Sequence, residues 1–190
     1  MKKYIVLIAA AIVGVFSSCS VYTDAEPGGT AVEKMAGTWT VTILQNEAEY
    51  MSIFYGEEDP NLMGLSEAEL DAREDWSDRY GMAKFSVITS NTAANTSDEM
   101  LFVDNNFWGT TVKCSVDYQA GTFECIDAEP YEGCVMSVLY GKIVEDGAVT
   151  PSGRTVDSIT AYVKYSDDGN GFTLMKLSGY RYTGYTEDLF

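Results

Sequence analysis

Few side chains in this sequence could do covalent or acid–base chemistry. The 190-residue chain carries four Cys, 29 Asp and Glu, 12 Lys and Arg, and no His. Without an imidazole there is no Ser-His-Asp or Cys-His relay and no histidine-held zinc. A hydrolytic base would have to be a carboxylate or a lysine of lowered pKa. Asp104, Asp117 and Asp157 are candidates, but they fall at strand ends or on polar parity, where a solvated carboxylate is expected. No G-x-S-x-G elbow occurs. Asp167-Asp168-Gly169-Asn170-Gly171 resembles part of a calcium loop but lacks the remaining ligands, and a hairpin turn accounts for it. Glu57-Glu58-Asp59 reads as a solvated acidic run. No metal site and no cofactor are expected, and the residues by themselves do not argue for an enzyme.

Three of the cysteines lie in the body of the chain. Cys114 and Cys125 flank a hairpin, with strands at 112–118 and 122–125 around Gln119-Ala120-Gly121. Both fall on the apolar parity, so they lie near each other on one buried face. They could be a disulfide or two small core residues. Cys134 makes the number odd and leaves a thiol over, so the disulfide state of the three stays open. Lys113, the nearest cation, is on the opposite face, which argues against an activated thiolate. The formal charge of −17 also argues against a nucleic-acid partner, because phosphate binding needs clustered Lys and Arg.

The fourth cysteine belongs to a leader. Met1-Lys2-Lys3 is basic, residues 4–16 are apolar but too short to span a bilayer comfortably, and Ser17-Ser18-Cys19 follows. The arrangement resembles a bacterial lipoprotein signal. The resemblance implies cleavage before Cys19, acylation of that residue, and a membrane as partner through the acyl chains. Ser20 after the cysteine implies outer-membrane sorting within the cell envelope. The expected organisation is a signal peptide at 1–18, a tether at 19–34 and one domain at 35–190.

The elements that would position any site are strands. Residues 37–43 alternate strictly, apolar at odd positions and Thr at Thr38, Thr40 and Thr42. Residues 46–82 break the pattern. They form an acidic insertion with a capping box at Ser66 and Glu69 and a helix expected at 65–80. Strands are expected at 84–90, 100–104, 107–118, 122–127, 134–144, 155–165 and 172–185, separated by turn-forming clusters. No βαβ spacing occurs, so the class is all-β. The expected fold is an eight-stranded antiparallel up-and-down barrel, with a two-sheet sandwich as the alternative.

Parity predicts a barrel interior of Trp39, Val41, Phe85, Val112, Val116, Tyr118, Phe123, Val163, Tyr165 and Met175. These are the candidate ligand-binding residues. Arg181 shares the Met175 parity, on the Trp39 side. Tyr180 and Tyr182 then point outward and need a cover, for which the acidic helix is the candidate.

Gly37-x-Trp39 on the first strand with Arg181 on the last resembles the calycin, or lipocalin, arrangement. That resemblance implies that Trp39 and Arg181 close one barrel end through a cation–π contact. NTAANTSDEM at 91–100, Phe107-Trp108, TPSG at 150–153 and SGYRYTGY at 178–185 add a second likeness. Together they resemble a Bacteroidetes calycin-like lipoprotein family described as "lipid-binding putative hydrolase". The resemblance implies a membrane-anchored lipoprotein whose barrel binds a lipid or small hydrophobic ligand. A structural or interaction protein with a filled barrel, and a hydrolase acting on a lipid-like substrate, are the alternatives.

Overall fold

The structure is a computed structural model that describes residues 29–81, 83–105, 107–166 and 174–189. The leader with Cys19 and the turn expected at 167–171 lie outside the described residues.

The strands are β1 (Gly37–Asn46), β2 (Trp76–Ser77), β3 (Phe85–Asn91), β4 (Glu99–Asp104), β5 (Thr111–Asp117), β6 (Thr122–Tyr131), β7 (Cys134–Val149), β8 (Thr155–Tyr165) and β9 (Met175–Arg181). From β3 to β9 each strand pairs antiparallel with the next, and β1 pairs with both β3 and β9. Eight strands therefore close into a barrel in which each is paired on both sides. The two-residue β2 adds to the far end of β1, opposite Gln45 and Asn46. The sandwich alternative is excluded by the β1–β9 register, which runs from Trp39↔Arg181 to Gln45↔Met175.

The alternation read from the sequence sets the two faces. Trp39, Val41, Val112, Phe123, Val163, Tyr165 and Met175 are buried and pack in one core with Cys114, Cys125, Ile159 and Leu177. A bulge in β7 after Val138 shifts its register, so Gly141 and Ile143 turn inward beyond it, and a second irregularity follows Val144. The aromatic ring of Phe123 occupies the space a Cβ on Gly141 would need.

Two expectations need correction, and one element is new. The strand expected at 107–118 begins only at Thr111, because Phe107 and Trp108 donate their backbone N–H groups to the Asp104 carboxylate, at 3.0 and 2.8 Å, and form a loop. Gly109 supports that loop with φ 70°. The helix expected at 65–80 is only the short α2 (Glu67–Asp71); its capping box forms, but Trp76 and Ser77 pair with β1 instead of continuing it. An unexpected helix, α1 (Glu47–Tyr55), starts where the Asn46 side chain accepts from the Glu49 N–H at 3.1 Å and ends at Gly56 in the left-handed region.

The insertion does cover the barrel, but not at Tyr180. Leu62 and Leu70 form a second core with the outward-facing Tyr162 and with Leu174. The Tyr162 hydroxyl donates to Asp71 of α2. Burial, together with that carboxylate, raises the Tyr162 pKa. Tyr180 is covered instead by the C-terminal turn at Thr186–Leu189, donating its hydroxyl to the Asp188 carbonyl at 2.7 Å.

Candidate functional site

The strand register makes Trp39 and Arg181 direct cross-strand neighbours. The guanidinium carbon sits 4.6 Å from the Trp39 ring centroid. Its nitrogens donate to Asp157 (2.9 Å), the Ala36 carbonyl (2.5 Å) and the Lys34 carbonyl (2.9 Å). Trp39 Nε1 donates to Thr89 Oγ1 at 2.8 Å, and Thr89 donates onward to the Met35 carbonyl at 2.5 Å. A Trp and an Arg from opposite ends of the chain thus clamp the turn at 31–36 onto one barrel end, with Val32 and Met35 buried beneath it. Gly37 leaves room for this clamp: a Cβ there would lie 3.1 Å from the Arg181 guanidinium carbon.

A cleft of about 540 Å³ opens beside the clamp. Met35, Tyr118, Ile143 and Val144 give it an apolar wall, and Lys34, Glu145 and the Asp157–Arg181 pair line it with charge. Tyr118 Oη accepts from the Lys34 N–H at 3.4 Å. Lys34 and Glu145 approach to 3.7 Å, with both side chains more than two-thirds exposed. An ion pair so open to water contributes little and separates easily.

The other end of the barrel is capped by rings. Tyr80, Phe85 and Phe107 meet edge to face at 4.9–5.9 Å, and Trp108 stacks on Tyr165 at 4.2 Å. Asp104, 1% exposed, sits under this cap. It accepts from the Phe107 and Trp108 N–H groups and from the Tyr165 hydroxyl at 3.1 Å. Burial and the Asp104 charge push the Tyr165 pKa well up.

The ten sequence candidates divide between these settings. Tyr118 lines the large cleft, Val116 and Phe123 line a 390 Å³ depression on the β5–β6 hairpin, and Phe85 lines a 230 Å³ one beside Lys84. Trp39, Val41, Val112, Val163, Tyr165 and Met175 lie in the packed interior. The sequence reading missed Lys34, Met35, Ile143, Val144 and Tyr80. Of these, Ile143 and Val144 carried a usable signal, since both lie within the expected strand at 134–144, but the bulge after Val138 that sets their parity was not legible.

The carboxylates considered for catalysis are committed elsewhere. Asp104 is buried, not solvated as expected. Asp117 caps its hairpin by accepting from the Gln119 and Ala120 N–H groups. Asp157 is held by Arg181. Among the described residues no three His, Cys, Asp or Glu side chains cluster to hold a metal ion.

The motif segments are also bonded into the scaffold. At 91–100, Asn91 donates to the Thr92 carbonyl, Thr92 to Glu99, and Asn95 accepts from the Ala31 N–H at 2.9 Å. At 150–153 and 178–185, Asp188 accepts from the Ser152 N–H (2.9 Å) and the Thr183 hydroxyl (2.5 Å), while Arg154 lies 3.9 Å over the Tyr185 ring.

Fold and site together define a closed eight-stranded antiparallel barrel, clamped at one end by a Trp–Arg pair and carrying an amphipathic cleft beside the clamp. The chain belongs to the family described as "lipid-binding putative hydrolase", whose model matches residues 24–186. No curated protein matches the chain.

Proposed function

We propose that the protein is a membrane-tethered lipid-binding lipoprotein in which the cleft beside the Trp39–Arg181 clamp holds the ligand. The observation that carries this reading is an apolar wall and a charged rim in one concavity of about 540 Å³. That size lies in the range of small-molecule sites. An acyl chain laid along this wall, against Tyr118 and the exposed Val144, would gain about 25 cal/mol for each Å² of apolar surface it covers, before the costs of association. Lys34 is placed to meet an anionic headgroup once its exposed pairing with Glu145 opens. The acylated Cys19 would hold the barrel at the envelope membrane, with outer-membrane sorting following from Ser20.

Native mass spectrometry of protein purified from its own membrane tests both parts. The expected result is a co-purifying lipid on an acylated chain. Val144→Glu, a change at an exposed cleft position, should weaken lipid binding about tenfold or more, equivalent to about 1.4 kcal/mol. Cys19→Ser should leave the chain unacylated and in the soluble fraction. A lipid-free wild type, or a lipid adduct indifferent to both Val144→Glu and Tyr118→Ala, would overturn the cleft assignment. Unchanged membrane fractionation of Cys19→Ser would overturn the tether.

A second reading, an interaction protein with a filled barrel, is favoured by the packed interior and by Ile53, Phe54 and Tyr55, which are 39, 51 and 67% exposed at the end of α1. Recovery of a lipid-free complex with another protein would select it.

A further inference from the structure

We propose that Cys114 and Cys125 form a cross-strand disulfide when the chain folds under oxidising conditions, with Cys134 left as a thiol. The β5–β6 register runs Asp117↔Thr122, Val116↔Phe123, Ser115↔Glu124. One further step of the same register sets Cys114 opposite Cys125. Directly opposed residues in antiparallel strands have Cα atoms about 4.5–5.5 Å apart, inside the range a disulfide bridges. Both side chains are buried in the same barrel core, packed among Val112, Phe123 and Val138.

Three cysteines permit three single pairings, and the geometry selects one. Cys125 is opposite Val138 on β7, whereas Cys134 lies four residues away along that strand. At about 3.3 Å per residue this is roughly 13 Å, beyond the reach of about 7 Å between Cα atoms. Cys114 is one strand farther from Cys134.

The bond forms as the hairpin assembles, because Cys114 is 1% and Cys125 9% exposed once the barrel is closed. One cysteine thiolate attacks a small-molecule disulfide such as glutathione disulfide and releases one glutathione thiolate. The second cysteine thiolate then attacks the protein sulfur of the mixed disulfide, makes the Sγ–Sγ bond and expels the other glutathione. The two cysteines lose two protons and two electrons, and the electrons leave on the two glutathione thiols. The bond ties together the hairpin whose tip, Tyr118 to Gly121, walls the cleft.

The test is to refold the full chain from denaturant in a reduced/oxidised glutathione buffer and alkylate the remaining thiols. Non-reducing cleavage after acidic residues then cuts at Asp117, Glu124 and Glu132 and puts each of the three cysteines in its own peptide. The expected map links the Cys114 and Cys125 peptides and shows Cys134 alkylated, unchanged in Cys134→Ala. Reduction should lower the melting temperature by several degrees. Alkylation of all three, or a link from either residue to Cys134 or Cys19, would overturn the proposal.

Discussion

Arg181 does several jobs in one place. Its guanidinium covers Trp39, holds Asp157 and donates to the Lys34 and Ala36 carbonyls. Trp39→Ala removes a fully buried ring and should cost about 3–5 kcal/mol. Arg181→Ala leaves a carboxylate and two carbonyls short of donors and, partly screened by water, should cost about 2 kcal/mol. Lys113→Ala removes one exposed ion pair with Glu99 and should cost under about 1 kcal/mol. Denaturant midpoints for the three variants check the order; equal midpoints would remove the clamp from the account of stability. Asp188 gives a pH dependence. Burial pushes its carboxyl upward, but hydrogen bonds from Thr183, Ser152 and Thr150 outweigh that and hold it at about 2, below the ordinary 3.8. A carboxyl depressed in the folded state contributes its full stability above the unfolded value and loses it as pH falls through the folded one. The C-terminal turn should therefore loosen between about pH 4 and pH 2, and Asp188→Asn should lack that slope in a melting-temperature titration.

At the scale of elements, the seam between β1 and β9 is the demanding one. Gly179 lies against the β1 backbone, where a Cβ would overlap the Thr40 carbonyl and sit 2.7 Å from Val41 Cα. Backbone on both sides leaves little room to shift, so Gly179→Ala should cost about 3 kcal/mol. Hydrogen exchange should show the loss concentrated in β1 and β9; uniform protection of both strands would contradict it. The strands were readable because one face is buried, so the period of two is written into the residue types, as in Thr38 to Ile43. The helices were less readable. Leu65 to Tyr80 keeps a helical composition, but backbone pairing of Trp76 and Ser77 with β1 takes precedence over it. Asn46 was not legible as an N-cap, because it also ends a strand.

For the molecule as a whole, the barrel, its Trp–Arg end and the inward parity could be read from the sequence. The cleft could not. Its wall is assembled from the turn before β1, the tip of β5–β6, the middle of β7 and the end of β9, segments brought together only by closure. Exposure was misjudged at Asp104, whose polar type says nothing of the loop that wraps it. Closure has a further consequence. The first full-length strand finds its second neighbour only in the last, more than a hundred residues later along the chain. A nascent chain halted anywhere before residue 175 would therefore be a curled ribbon with two unsatisfied rims, open to pairing with its own copies. Trimming this protein from its tail should thus carry a penalty set by the missing stave, far larger than the length removed would suggest.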